Sequence, residues 1–221
     1  VHSRAADSII STRNGADQHP GTADDILFLS IGDLDAVPQV GPAAMESLIT
    51  VGSATCIESA VIFSPQAYDA SHLALVKQRI DDAEYSLDIA MYSFSDWSIM
   101  DSLEAARERG VSIRMLYQGA ADDRKDVVGT RSALLEDLGI EVRWINKIMH
   151  HKFVIIDGPR NAVDQASTGR LLNGSGNWSY SAGTRYDENM VDSVGDTRLM
   201  LQFQQEFNHL WANSRDVIWN E

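Results

Sequence analysis

The sequence predicts an α/β fold: a mixed sheet flanked by helices on both faces, preceded by a small all-α segment. Three observations carry that prediction. From Ala60 onward, short apolar runs alternate with amphipathic stretches of about 10–15 residues, the pattern of strands and helices sharing one sheet. Before residue 56 the chain is rich in breakers and short helical patterns, with no strand-like alternation. The composition, 44% hydrophobic with a single cysteine, leaves a packed core to hold the fold without disulfides.

Taken in order, Ala5 to Arg13 reads as a short helix, followed by the breakers Asn14-Gly15 and His19-Pro20-Gly21. Ser30 to Ala36 and Pro42 to Val51 read as two more helices around a tight Pro-Gln-Val-Gly turn. Pro42 stands at a first helical position, where its missing N–H costs nothing. Val61-Ile-Phe63 reads as a strand, and His72 to Tyr85 has helical spacing through Leu73, Val76, Ile80 and Ala83. Leu87 to Phe94 is a buried strand, Trp97 to Arg109 a helix closed by Gly110, and Val111 to Tyr117 the next strand. Arg131 to Leu138 is a helix ended by Gly139, and Ile140 to Ile145 a strand. Lys152 to Ile156 is an apolar strand after its first residue, and Arg170 to Asn177 another candidate. Arg198 to Asn213 closes the chain as an amphipathic helix. These divide the chain into a module over 1–55 and a domain over 56–221.

The net charge of -14, from 18 Lys+Arg against 32 Asp+Glu, excludes binding of phosphate polymers by bulk attraction. An anionic substrate must be drawn in locally, and Arg124, Lys125, Arg143, Lys147, Lys152 and Arg185 are the cations available for it. No run approaches the roughly 20 apolar residues of a membrane-spanning helix. Cys56, the lone cysteine, excludes a disulfide framework and a Cys-rich zinc site, and reads as a small buried residue. No charged and apolar leader is visible after Val1. That start and the character of the first module point to a secreted or periplasmic protein rather than a cytoplasmic one.

The chemistry concentrates in Met149-His150-His151-Lys152-Phe-Val-Ile-Ile-Asp157-Gly158. His150 and Lys152 are two apart at the head of a strand, so alternation puts both on one face. A fixed ammonium neutralises phosphate oxygens while a neutral imidazole attacks phosphorus. Asp157 closes the strand and can hold a neighbouring donor. Further on, Ser175 and Asn177 of Gly174-Ser175-Gly176-Asn177 share a face and can donate to phosphate oxygens, while the glycines permit close backbone approach. Glu188 opens another apolar stretch, placed to orient an imidazole. Singly, each has an ordinary reading as a strand end or a turn; the order and spacing together do not.

His150-x-Lys152-x4-Asp157 followed by Gly174-Ser175-x-Asn177 resembles the signature of the phospholipase D superfamily, over roughly Ala60 to the C-terminus. Leu87-Asp-Ile-Ala-Met-Tyr-Ser-Phe resembles the strand before the first long helix of that family. The motif occurs once, in the manner of the family's small single-motif bacterial endonucleases and their mitochondrial-surface relatives. The resemblance implies a phospholipase D-like sheet and a homodimer with two motifs at a shared site on its axis. It implies that His150 of one subunit forms a phosphohistidine while that of the other protonates the leaving oxygen. Lys152, Ser175 and Asn177 would hold the phosphoryl oxygens, with Glu188 orienting the imidazole and Asp157 the lysine. It implies no metal and no cofactor. The 159–169 connection is longer than in the smallest members and reads as a surface loop; the cysteine-rich finger of the mitochondrial relatives is absent.

Leu34 to Ile49 resembles a helix-hairpin-helix module, whose exposed N–H groups at Val40, Gly41 and Ala43 would grip nucleic-acid phosphates without reading bases. Lys147 and Arg185 are further candidates for nucleic-acid contact. Against this, Gln39 stands where the hairpin's first glycine belongs, and residues 1–55 carry only Arg4 and Arg13 as cations. Asp17, Asp24 and Asp25 read as solvated turn acids rather than calcium ligands, having no regular ligand spacing. The functional expectation is a metal-independent phosphodiesterase, an endonuclease on DNA or RNA. The alternatives are a phospholipase D or phosphatidyl transferase approached past Trp97, Trp178 and Tyr180, and a non-catalytic DNA- or protein-binding module.

Overall fold

The computed structural model describes residues 3–28, 31–54, 58–123, 129–160 and 162–216. Ser30, Cys56, Arg124 and Lys125 lie outside them. The chain divides into two compact units, Val1–Cys56 and Ile57–Glu221.

In the first unit, α1 (Ser3–Arg13), α2 (Ile31–Asp35) and α3 (Pro42–Ala54) enclose a small core of Ala5, Val37, Val40, Ala44 and Met45. Between α2 and α3 the chain turns through Gln39, whose φ of 73° is the left-handed backbone that glycine adopts most readily. The Val40 N–H is taken by the Val37 carbonyl at 3.1 Å and its side chain is buried. Val40 therefore has no free donor for a phosphate, whereas Gly41 and Ala43 are exposed. In the preceding loop, the Asp24 carboxylate accepts from the N–H groups of Ala16 and Asp17, and Asp25 from that of Gly21. These acids order their own loop.

The second unit is built on one eight-stranded mixed sheet in the order β1-β7-β6-β5-β2-β3-β4-β8. Its strands are β1 (Glu58–Ser64), β2 (Ser86–Met91), β3 (Ser112–Tyr117), β4 (Glu141–Trp144), β5 (Lys152–Ile156), β6 (Arg170–Gly174), β7 (Glu188–Val194) and β8 (Arg215–Asp216). The helices are α4 (His72–Asp81), α5 (Trp97–Glu108), α6 (Ala120–Asp123), α7 (Arg131–Asp137), α8 (Tyr180–Thr184) and α9 (Thr197–Ala212). β2, β3 and β4 run parallel, which requires the crossovers that α5 and α7 provide. The other pairings are antiparallel. Side-chain caps start the main helices: Ser71, Asp96, Thr130 and Asp196 each accept a backbone N–H of the first turn.

Both sheet faces are covered. Leu73, Val76 and Ile80 of α4 and Ile99 and Leu103 of α5 pack on Leu87, Ile89, Met91, Val154 and Ile156. On the other face Met200, Phe207 and Leu210 of α9 meet Ala90, Phe153, Ile155 and Leu171. Beneath α9 lies a buried carboxylate, Asp88, which accepts from Arg114, Arg160 and Gln204. Removing one partner from such a buried cluster costs about 3–5 kcal/mol. Arg160 also donates to the Leu87 carbonyl at 2.7 Å, and Ala166 is buried. The 159–169 connection is therefore a loop fastened over that face, with a 3-10 turn at Val163–Ser167.

β5 is the strand on which the motif sits, and its two ends differ. At the far end Asp157 has a φ of 50°, and its carboxylate accepts from the N–H groups of Glu84, Tyr85 and Ser86 at 2.9, 2.7 and 2.8 Å. Five residues of strand at ~3.3 Å each put it roughly 17 Å from the motif's head. This corrects the expectation that Asp157 holds Lys152: its carboxylate ties β5 to the start of β2. Asp157→Ala deletes three acceptor contacts and leaves a Cβ-only residue in left-handed backbone, so stability should fall by about 2 kcal/mol. Urea unfolding will show that loss, while turnover of the folded variant stays within about threefold of wild type at a temperature where both are native.

Candidate active site

The antiparallel register brings the motif residues to one end of the sheet. Met91 at the end of β2 pairs with Lys152 at the start of β5, and Phe153 pairs with Asn173 near the end of β6. Gly174 pairs with Met190 near the start of β7, and Glu188 pairs with Ser64 at the end of β1. The heads of β5 and β7 and the tail of β6 thus bring Lys152, Glu188 and Ser175 to one end of the sheet, although 36 positions separate Lys152 from Glu188.

Lys152 is buried to 5% exposure, with its stem among apolar neighbours on the α4–α5 face. Its Nζ donates to the His150 carbonyl at 2.8 Å and stands 3.1 Å from His150 Nδ1 and 3.3 Å from Nε2. The near-equal distances put the ammonium against the face of the imidazole, which leaves the in-plane lone pair of the ring free. Burial lowers the Lys152 pKa from the ordinary lysine value, and the negative charge of Glu188 partly restores it. Glu188, expected to orient the imidazole, lies at the same sheet end, and its charge acts on Lys152 and on His72.

His150 is exposed, with its ring centroid 4.3 Å from that of Tyr92, and the Tyr92 ring lies 5.0 Å from Lys152 Nζ. Tyr92 follows β2, and its N–H donates to the His151 carbonyl, which fixes the chain beside the motif. The aromatic face supports both the ammonium and the imidazole. In the sequence Tyr92 is marked only by lying within the Leu87–Phe94 run read as a strand. His151 points elsewhere, with Nε2 3.7 Å from Glu206 on α9.

The Gly174–Trp178 turn supplies the second half of the site. Ser175 N–H donates to the Asn189 carbonyl and Ser175 Oγ accepts from Asn189 N–H, both at 3.0 Å. The exposed hydroxyl keeps its own proton to donate outward. A Cβ at Gly174 would overlap the Asn189 carbonyl oxygen, so this approach of β6 to β7 needs glycine. Asn177 Oδ1 is buried with no hydrogen-bond partner among the described residues, a cost of about 1–3 kcal/mol of the kind retained at functional sites. Beneath the turn lies a histidine the sequence did not signal. His72 is fully buried, its Nδ1 3.0 Å from Ser64 Oγ and its Nε2 3.0 Å from the Asn177 carbonyl.

Of the cations proposed to draw in an anion, Arg143 is paired with Glu141 at 2.6 Å and stacked on Trp211. Lys147 is exposed in the segment before His150. Arg185 is exposed at the end of α8, 5.9 Å from the Tyr180 ring centroid. Trp178 is core, bridging to Phe94, whereas Trp97 and Tyr180 are exposed, with Arg131 stacked on Trp97. Next to the motif a cavity of about 260 Å³ is lined by Tyr92, Ser93, Tyr117, Gln118, Gly119, Asp122 and Ile148. Gln118 also accepts the Met149 N–H at 2.7 Å, so this wall is tied to the motif's approach. No helix among the described residues is long and apolar enough to cross a membrane.

Comparison with known proteins places this arrangement. The family described as "Cardiolipin synthase, PLD-like domain" matches residues 76–211. The chain is 28% identical over 199 residues to a mitochondrial cardiolipin hydrolase of Drosophila melanogaster, covering 84% of this chain and 74% of that one. A mitochondrial cardiolipin hydrolase of Chlamydomonas reinhardtii is 33% identical over 134 residues, 60% of this chain and 54% of its own length. The chain thus spans about half of that relative. Among solved structures, Nuc of Salmonella typhimurium, a phospholipase D family member, superposes with a TM-score of 0.58 at 28% identity, covering 72% of this chain and 97% of Nuc. NucT from Helicobacter pylori shares the fold, with a TM-score of 0.55 at 18% identity. With its sheet, its motif and a family match over more than half its length, the chain belongs to the phospholipase D superfamily and carries its PLD-like domain.

Proposed function

We propose that this protein is a metal-independent phosphodiesterase that cleaves DNA or RNA internally through a phosphohistidine on His150. The coarser statement, a superfamily hydrolase with phosphodiesterase or lipid-modifying activity, follows from the family. The observation that supports the phosphohistidine is the placement of Lys152 Nζ 3.1 Å from His150 Nδ1, at the sheet end that also holds Ser175 and Glu188; what favours a nucleic acid over a lipid is the polar wall beside it. An incoming phosphodiester meets an ammonium that neutralises a non-bridging oxygen, a hydroxyl that donates to another, and an imidazole lone pair facing phosphorus. Attack forms the N–P bond and breaks one P–O bond, and the departing oxygen takes a proton from an acid on the opposite side. Water then attacks phosphorus, releasing His150.

One imidazole cannot serve as nucleophile and opposing acid in the same step. A second copy of the chain, bringing its own His150 across a two-fold axis, supplies the acid. The polar lining of the cavity beside Tyr92, with Ser93, Gln118 and Asp122, suits a nucleotide better than acyl chains. Among the described residues, exposed Lys147 and Arg185 are the candidate cations that could meet a phosphate backbone. Gly41 and Ala43 in the first unit remain candidates for further phosphate contact, with Val40 withdrawn. A second reading has its own support: relatives named cardiolipin hydrolase, and Ile148, 77% exposed two positions before His150. It makes the same phosphohistidine from a phospholipid.

The direct test is digestion of supercoiled plasmid and a labelled single strand in excess EDTA by wild type and His150→Asn. Cleavage by the wild type alone is the expected outcome. If neither nucleic acid is cut but cardiolipin vesicles are hydrolysed, the lipid reading replaces it. Sedimentation at micromolar concentration should give a dimer; a lone 24.4 kDa species would remove the proposed opposing acid. The pH profile should be bell-shaped. Two groups must stay protonated, the opposing histidine acid and the Lys152 ammonium, whose pKa burial lowers, so the alkaline limb falls below the ordinary lysine range of ~10.4. Lys152→Arg holds its charge at any working pH, so it should be slower at the optimum and keep only the limb set by the histidine acid. Loss of the whole limb in that variant would remove the histidine acid from the mechanism.

A further inference from the structure

His72 is the first residue of α4, separated from Asn177 by 105 positions, and it belongs to no part of the motif. Its surroundings fix its protonation. The Asn177 carbonyl can only accept, so Nε2 carries the hydrogen of their 3.0 Å bond. Nδ1 then holds a lone pair, and the Ser64 hydroxyl, 3.0 Å away, donates to it. Burial lowers the pKa of His72 from its ordinary value. The bond to the Asn177 carbonyl and the charges of Glu188 and Asp96 act in the opposite direction. Burial dominates, so the ring stays neutral with both nitrogens occupied.

The ring also occupies the space that a side chain at position 176 would need. A Cβ built on Gly176 falls 2.7 Å from both Cε1 and Nε2 of His72. The turn therefore lies directly on the imidazole, held from below at Asn177 and from the side by the Asn189 bonds to Ser175. Ser71, the preceding residue, caps α4 through Leu73 N–H, which fixes where His72 begins. Ser64, its other partner, is the register neighbour of Glu188. One imidazole thus joins the end of β1, the start of α4 and the turn that carries Ser175 and Asn177.

We propose that His72 is a positioning residue for the phosphodiester chemistry: a neutral, Nε2-protonated imidazole that clamps the Asn177 main chain and sets where Ser175 and Asn177 present their polar groups. This rests on the reading of the site as a phosphodiesterase centre, though not on which diester it cleaves. The ring touches no substrate. It acts on the reaction through two side chains that do, and a misplacement of about 1 Å in such groups costs on the order of 100-fold in rate.

The test uses the full chain with bis(4-nitrophenyl) phosphate as a general phosphodiester, and His150→Asn as the control for the reading itself. His72→Phe fills the space and removes both hydrogen bonds. Its kcat should fall on the order of 10- to 100-fold, with KM within about threefold. His72→Gln places an amide N–H where Nε2 was and should recover most of the rate, whereas the shorter His72→Asn should not. Gly176→Ala should be impaired in the wild-type background and add little further loss to His72→Ala, because the atoms it strikes are then gone. If His72→Phe does not fold, the contrast between Gln and Asn decides: equal rates for the two overturn the proposal. Wild-type kcat in folded His72→Phe, with His150→Asn inactive, likewise overturns it and leaves the phosphodiesterase reading standing. Full activity in His150→Asn would instead overturn that reading.

Discussion

Lys152 puts a full positive charge at the head of a strand whose other four residues are buried and apolar, and the rest of the site is arranged around that charge. Left unmatched, a buried ammonium costs several kcal/mol. Here the compensation is local: the His150 carbonyl, the imidazole face, the face of Tyr92 and the charge of Glu188. The ammonium stands against the His150 ring and the ring rests on Tyr92, while pairing through β6 brings the head of β7 to the same sheet end as that of β5. A phosphoryl oxygen arriving there meets a cation that water screens poorly, so the attraction is far stronger than the same charge would exert at the surface.

That local strength answers the difficulty posed by a net charge of -14. Several of the chain's guanidinium groups are committed to the fold rather than to a substrate. Arg114 and Arg160 meet Asp88 under α9, and Arg79 and Arg170 meet Asp192 on the opposite face. A carboxylate under each layer thus fixes a pair of arginines, and among the described residues few cations remain at the motif's end. Attraction over distance is correspondingly weak, and binding depends on close contact at the head of β5.

The fold was legible because its signals are local. β5 could be read to the residue, since Lys152 is followed by four apolar residues between polar ends. Helices were marked by apolar spacing and by Gly110 and Gly139, both in the positive-φ backbone expected past a helix end. α6, α8 and β8 escaped notice because four-, five- and two-residue elements carry no period. β7 showed only as an apolar stretch behind Glu188. In the site, His150, Lys152, Ser175 and Asn177 were legible as a spaced pattern. Asp157 was misassigned because closeness in sequence is distance along a strand. His72 and Ser64 carried no signal: the contact that gives His72 its place spans 105 positions.

A phosphate grip of this kind is indifferent to what the phosphate joins. Lys152, Ser175 and Asn177 are placed for oxygens common to nucleic acids and phospholipids, so discrimination has to come from the walls around them. Two features of those walls bear on it. Trp178, which directly follows Asn177, is locked into the core against Phe94, which removes it from any apolar approach. The cavity that shares Tyr92 with the motif presents hydroxyl, amide and carboxylate groups beside its two tyrosines. An acyl chain laid there would strip water from those groups without replacing its hydrogen bonds, at about 1–3 kcal/mol for each one left unpaired. A sugar or a base can replace them. On the proposed nucleic-acid reading, discrimination falls to the ends of β2 and β3 and to the Ile148 beside them, outside the motif that makes the family recognisable.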